Sequence, residues 1–296
     1  MSIDTCKLLR KSVIANTLFM EQFQLSLLLK IIGLGSASGL IYSNNNLTLI
    51  GDNSGFLYDY NITTKKLSTH ALIENAKANI EKKLKPDFEA IAKFENSYYI
   101  FGSGSTENRN IMLEVDAVSK KVNAKTDLSY FYESLQSFGN IKEKDFNIEG
   151  ATFDGQNWYI ANRGNGKKTK NIIFTVKGKS LDGEIQIVAN KFKLPKLNDV
   201  KTSFTDIIKV NNKIYFLAAA EDTDSTFFDG EVMGTIIGCI DIKTMTIDFT
   251  HQISKTQKFE GLTVFEQTDD KITFLLCEDN DTTLLESNIY KLTLSK

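Results

Sequence analysis

One four-residue phrase recurs five times along this chain of 296 residues: Ala37-Ser38-Gly39-Leu40, Phe88-Glu89-Ala90-Ile91, Ile148-Glu149-Gly150-Ala151, Phe204-Thr205-Asp206-Ile207 and Phe259-Glu260-Gly261-Leu262. The third positions lie 51, 60, 56 and 55 residues apart. Each phrase opens a strand-like segment, and a second such segment follows a turn: Leu47 to Gly51, Ser97 to Gly102, Asn157 to Asn162, Lys213 to Ala218 and Lys271 to Cys277. From Ser38 to Asp52, Glu89 to Ser103 and Glu149 to Arg163 the offset is 14 residues each time. Because a tight hairpin returns the end of its second strand to the start of its first, Glu149 and Arg163 are expected to be neighbours in space.

Downstream of each hairpin runs an alternating apolar segment: Phe56 to Tyr60, Ile111 to Asp116, Ile172 to Val176, Ile236 to Asp241 and Asn288 to Leu294. In the first four units a turn and one more short polar strand follow, as in Asn61 to Leu67 or Asp241 to Met245. Four antiparallel strands in a unit of roughly fifty residues, repeated five times, predict an all-β fold, a five-bladed β-propeller, with six blades as the alternative. The fifth unit supplies only three strands before Lys296, which would leave an open sheet edge. The apolar run Phe23 to Ile32, FQLSLLLKII, is expected to close the ring as the outermost strand of the last blade. Residues 1–19 then form an N-terminal extension that need not be ordered, and 20–296 a single propeller domain. Ser129 to Phe138 reads as a short inserted helix, and Glu221 to Gly234 as a long hairpin loop.

Propeller geometry places the first strand of each blade along a central channel, so the second positions of the phrase meet at the axis. Glu89, Glu149 and Glu260 stand there on three blades, with Ser38 and Thr205 on the other two. Converging carboxylates repel unless they are protonated, hydrogen-bonded, paired with bases or bridged by a cation. An all-oxygen set without histidine suits Ca²⁺ or Mg²⁺ rather than zinc. The alternative is that each Glu clips its blade to the next through backbone N–H groups. Small residues at four of the five third positions fit strands that converge too closely for a side chain.

The ends of the second strands arrive at the same face: Asp52-Asn53-Ser54-Gly55, Ser103-Gly104-Ser105, Arg163-Gly164-Asn165-Gly166, Glu221-Asp222 and Glu278-Asp279-Asn280-Asp281. Of 35 basic residues only Arg10, Arg109 and Arg163 are arginine, and the last two follow second strands. A chain that otherwise uses lysine suggests a task for these two that needs a planar fork, such as bidentate binding of a carboxylate or phosphate, or a salt bridge to an axial Glu. The expected ligand-binding residues are thus Arg163, Arg109, Asp52, Ser103, Ser105 and Asn165, the metal ligands Glu89, Glu149 and Glu260, and the catalytic pair, if there is one, Glu149 and Arg163.

Other chemistries recede. His70 and His251 lie on outer strands at unrelated positions, which removes a His-based triad or zinc cluster. Cys277 ends an inner strand, where buried thiols are inert core, and Trp158 alternates inward as blade packing. Lys167 to Lys170 reads as a solvated hairpin tip, and the GSGS and RGNG glycines lack the strand-to-helix context of a nucleotide loop. A formal net charge of -2 supplies no basic field for nucleic acid or an anionic membrane, and a monomer is expected. Cys6, Cys239 and Cys277 are few, odd in number and widely spaced, which fits a reducing, cytoplasmic compartment. The apolar run SVIANTLFM after Lys7, Arg10 and Lys11 imitates a signal peptide without a cleavage site, so the periplasm is the alternative.

KPDFEAI (Lys85 to Ile91) with FGSGSTENR (Phe101 to Arg109), and NIEGA (Asn147 to Ala151) with ANRGNG (Ala161 to Gly166), resemble a bacterial family of β-propellers known only as a domain of unknown function. More distantly, the repeated Glu-Gly phrase is similar to that of esterase-like and phytase-like propellers and of calcium-dependent gluconolactonase-like ones. That resemblance implies a divalent metal at the axis and hydrolysis of an ester, lactone or phosphoester, with one Glu as general base and a small anionic substrate. The chain differs from those groups in its five units and in Ser38 and Thr205.

Overall fold

Short alternating segments such as Asn157-Trp158-Tyr159-Ile160-Ala161-Asn162 bury one face at a time and gain stability only when several pair and stack. A computed structural model describes residues 23–164, 170–222, 230–279 and 284–296. The N-terminal extension and Asn165 lie outside these residues. Strand β1 (Phe23–Ile32) precedes blade one, built from β2 (Ala37–Ser43), β3 (Asn46–Gly51), β4 (Phe56–Asn61) and β5 (Lys66–Ala71). Blade two holds β6 (Phe88–Phe94), β7 (Ser97–Gly102), β8 (Ile111–Asp116) and β9 (Val122–Asp127). Helix α1 (Ser129–Gly139) leads to blade three, with β10 (Ile148–Phe153), β11 (Asn157–Asn162), β12 (Asn171–Lys177) and β13 (Gln186–Phe192). Blade four comprises β14 (Lys196–Leu197), β15 (Val200–Val210), β16 (Lys213–Asp222), β17 (Glu231–Asp241) and β18 (Thr246–Ser254), and blade five continues with β19 (Lys258–Gln267), β20 (Lys271–Asp279) and β21 (Glu286–Ser295).

Among the described residues the strands form five antiparallel sheets, and the sheet order β1-β21-β20-β19 completes the last blade with the N-terminal strand. The protein is therefore a five-bladed β-propeller, closed as the repeat predicts. The outer strands begin later than the sequence suggests. Asn61 to Leu67 and Asp241 to Met245 are mostly the turns that precede β5 and β18. The segment from Glu221 to Gly234 is also less of a loop than expected, because Glu221 pairs with Val232 and Asp222 with Glu231.

Turn chemistry sets the inner hairpins. In blade three, Asp154 Oδ1 accepts the backbone N–H groups of Gln156 (3.0 Å) and Asn157 (2.7 Å), while Gly155 supplies a φ of +92° that a side chain would oppose. The apolar core is divided into five clusters, each between two neighbouring blades. Trp158, fully buried, stacks on Phe153 at 4.7 Å and meets Tyr99 and Phe101 of blade two edge-on, each at 5.3 Å. Burial of roughly 25 cal/mol per Å² of such surface is available only when adjacent blades stand side by side. No helix among the described residues is long and apolar enough to cross a membrane.

Candidate functional site at the channel mouth

The first two strands of every blade slip register at the repeated phrase, between Ala37 and Gly39, Phe88 and Ala90, Ile148 and Gly150, Phe204 and Asp206, and Phe259 and Gly261, and those of blade five slip again between Val264 and Glu266. The residues passed over are Ser38, Glu89, Glu149, Thr205 and Glu260, the second positions of the repeated phrase. A bulge leaves its extra residue out of the ladder and re-aims the side chain. Here it delivers five polar side chains to one end of the channel. Ser38 Oγ donates to the Phe88 carbonyl at 2.5 Å and Thr205 Oγ1 to the Phe259 carbonyl at 2.7 Å, so these two clip their blades to the next.

The third positions confirm how closely the blades approach. A Cβ on Gly150 would stand 2.7 Å from the Ile207 nitrogen of blade four, and one on Gly261 would stand 2.6 Å from Leu40 Cδ2 and 3.0 Å from Gly39 Cα of blade one. Asp206, the exception, turns its carboxylate onto backbone, accepting N–H bonds from Ile207 and from Leu262 of blade five, both at 2.7 Å. Burial nevertheless raises its pKa well above the usual range.

A second polar ring lies one rung further out. In blades one to three the residue two before the bulge meets the residue following the second strand: Asp52 N–H donates to Ser36 O (3.3 Å), Ser103 to Asp87 O (2.9 Å) and Arg163 to Asn147 O (2.8 Å), and in blade five Lys258 pairs with Asp279, the last residue of β20. Ser36 and Asp87 hold left-handed backbones, φ +45° and +54°, which cost a residue with a Cβ about 1 kcal/mol and turn the chain into the phrase. Lys85, Asp87 and Lys258 were not singled out in the sequence. A signal for Asp87 and Lys258 was present, since the position two before the bulge is polar in every blade: Ser36, Asp87, Asn147, Ser203 and Lys258.

The side chains separate into two networks. On blades one and two, the buried Lys85 ammonium bridges Asp52 and Asp87, at 2.8 Å from the latter. Asp87 also takes Arg109 Nη1 at 2.7 Å and Ser103 Oγ at 2.5 Å, and Arg109 Nη1 reaches Ser105 Oγ at 2.7 Å. Arg109 closes a 3₁₀ turn, Glu107–Arg109, rather than a free loop. Glu89 stands beside this network: ligand oxygens of Asp52, Asp87 and Glu89 all lie within 4.8 Å of one another. Burial, and then Asp87 and Glu149, push the Glu89 pKa well above the ordinary carboxylate range. Burial likewise raises Asp52, against the pull of Lys85.

On blades three to five, Arg163 Nη1 binds Glu149 Oε1 at 3.1 Å and Nη2 binds Glu221 Oε2 at 2.6 Å, with Glu260 at 3.9 Å. Lys258 Nζ gathers Glu260 (2.8 Å), Glu221 (2.9 Å) and Asp279 (3.1 Å). Asn147 Nδ2 adds a 2.5 Å bond to Glu149. Burial pushes the Glu149 carboxyl up to about 7, against Arg163 and Lys258, and raises Glu260 well above its usual value. Burial opposes ionisation of Glu221 too, but there Arg163 and Lys258 prevail and hold the pKa below normal. The expected contact of Glu149 with Arg163 is made. The three axial glutamates, expected as one metal set, are divided between the networks, Glu89 with Asp52 and Asp87, Glu149 and Glu260 with Arg163 and Lys258.

Both arginine forks are already committed, Arg163 to two carboxylates and Arg109 to Asp87, Ser105 and the Lys82 carbonyl, although each Nε is buried without a partner among the described residues. The fold and this mouth define a β-propeller with a buried, acid-rich polar channel end. Over residues 33–294 the chain matches the Family of unknown function (DUF6929), and it belongs to that family. No curated protein sequence matches it at a significant level. Among solved structures it is similar to the major allergen Mala s 1 of Malassezia sympodialis, at 9% identity over 90% of this chain and 96% of that one, with a TM-score of 0.52. It is also similar to a protein from Bacteroides fragilis (10% identity, 93% and 96% covered, TM-score 0.45). A member of the duf4221 family from Bacteroides vulgatus matches at 9% identity, 93% and 99% covered, with a TM-score of 0.42. At such identity the likeness to the allergen concerns the fold alone.

Proposed function

We propose that the channel mouth is a binding site for a divalent, oxygen-preferring cation, Ca²⁺ or Mg²⁺, held by Asp52, Asp87 and Glu89 in a non-catalytic binding propeller. The observation that carries this reading is the mutual approach of three carboxylates to within 4.8 Å. Oxygens that share an ion bound at 2.0–2.6 Å stand about that far apart. The residues fit such an ion in kind: all donors are oxygen, the hydroxyls of Ser103 and Ser105 adjoin them, and Asp52 Oδ1 is buried without a hydrogen-bond partner among the described residues. Lys85 is the built-in competitor, because its ammonium already neutralises Asp52 and Asp87. Binding therefore requires Lys85 to swing aside and Glu89 to lose its proton. A small anionic ligand would meet the bound cation rather than an arginine fork.

A hydrolase acting on an ester, lactone or phosphoester is the second reading, favoured by the Glu149 pKa of about 7, suited to a general base, beside Arg163. Burial of Glu149 to 2% exposure and its bonds to Arg163 and Asn147 leave it little access to substrate, so binding is preferred. The free, buried thiols Cys239 and Cys277 support a reducing, cytoplasmic setting.

Thermal melting in EDTA, Ca²⁺ or Mg²⁺ tests the cation. At a hundredfold excess over Kd the wild type gains about 2.7 kcal/mol of stability. The gain is larger at pH 8 than at pH 6, since the raised carboxyls of Glu89 and Asp52 must ionise to bind. Glu89→Gln and Asp52→Asn abolish the gain, whereas Lys85→Gln enlarges it by removing the competitor. Absence of any shift in the wild type at either pH, or an undiminished shift in Glu89→Gln, refutes the reading.

A further inference from the structure

The opposite end of the channel carries a different chemistry. There the inner strands of all five blades open into a cavity of about 380 Å³, at the small end of the range for ligand pockets. Its wall mixes polar and apolar groups: the partly exposed Ile41, Ile208 and Val264 stand among Lys93, Thr152, Asp154, Lys209 and Thr263. Lys93 and Lys209 each stand four residues beyond their bulge, Glu89 and Thr205, so blades two and four present an ammonium from corresponding places. Between and opposite them stand Thr152 on blade three and Thr263 on blade five.

Charge at this end favours an anion. Among the described residues Asp154 is the one carboxylate lining the cavity, and it is largely engaged elsewhere, accepting two backbone N–H bonds of its own turn at 3.0 and 2.7 Å. Its second oxygen lies 3.7 Å from Lys209. Lys93 Nζ donates to the neutral hydroxyl of Ser43 at 3.1 Å and makes no salt bridge among the described residues. Two ammonium groups against one occupied carboxylate leave a net positive cavity. The far mouth differs, because its carboxyls are interleaved with Lys85, Arg109, Arg163 and Lys258 in closed ion-pair networks. The two ammonium groups at this end attract an anion.

We propose that this cavity is a binding site for a small organic carboxylate, its apolar body packed on Ile41, Ile208 and Val264 and its charged group between Lys93 and Lys209. The site is separate from the cation site and stands whether or not that reading holds. Lys93 lies at an exposed place and Lys209 is partly exposed, so neither substitution removes core.

Benzoate serves as the probe, with benzamidine and benzyl alcohol as cationic and neutral counterparts of the same shape. Titration of ¹⁵N-labelled full-length protein at constant ionic strength is expected to shift the amides of Thr152, Lys209 and Thr263 with benzoate far more than with either counterpart. Lys93→Ala weakens benzoate several-fold, and Lys93→Ala with Lys209→Ala weakens it roughly tenfold or more. The conservative pair Lys93→Arg with Lys209→Arg retains it, which separates lost charge from lost fold. Glu89→Gln at the far mouth leaves benzoate binding unchanged. The proposal is overturned if benzoate shifts none of these amides, if benzamidine or benzyl alcohol binds equally well, or if the folded double alanine variant binds as the wild type does.

Discussion

Glu149 shows how a side chain's meaning depends on what stands opposite it. Its carboxylate is offset by 14 residues from Arg163, and the two touch at 3.1 Å. Yet Arg163 is shared with Glu221, and burial keeps the Glu149 pKa near 7 rather than letting the arginine depress it. The folded protein therefore prefers Glu149 protonated. A raised carboxyl pKa works against stability as pH climbs from the unfolded value, about 4.5, to the folded value, about 7, because the unfolded chain ionises first. Glu149→Gln removes that penalty while keeping the shape. We expect its Tm relative to wild type to rise from pH 5 to pH 8, by differential scanning fluorimetry. A relative Tm that falls over that interval contradicts the assignment. The phrase and the arginine economy made Glu149, Glu89, Glu260 and Arg163 legible. Asp87, Lys85 and Lys258 were not, because ordinary turns also favour charged residues just ahead of a strand.

At the scale of an element, β1 carries more than its edge position suggests. It pairs along its length with β21, from Phe23 opposite Leu294 to Ile32 opposite Glu286. Ile31 is fully buried in the cluster shared with blade one, and Phe23 and Leu25 pack on the cluster shared with blade four. Removal of residues 23–32 exposes both blade interfaces and leaves β21 as an open edge. The loss is expected to unfold the whole ring. Trp158 fluorescence is the decisive readout, since the indole lies between blades two and three, in a cluster that β1 does not enter. A truncated protein with wild-type Trp158 emission would show that the blades stand independently. The strand itself was visible as an apolar run with no other place in the repeat. Its exposed Leu27 and Ile32, and the bulge between Leu27 and Leu29, were not, since they follow from the partner strand's register.

For the whole molecule, interleaving the core between blades predicts cooperativity. No blade holds a core of its own, so the ring is expected to unfold in one step despite its repeated construction. Far-UV circular dichroism and Trp158 fluorescence should give coincident denaturant curves; separated midpoints would count against a single unit. By itself the sequence determined the blade count, the closing strand and which five side chains ring the axis, because a period-2 pattern repeated at a nearly constant interval admits few other solutions. It did not determine how those side chains divide into partners. That was decided by the tertiary structure, where Glu221 comes within 2.6 Å of Arg163 and 2.9 Å of Lys258 across blade boundaries, which sets which carboxylate meets a base and which is left to burial.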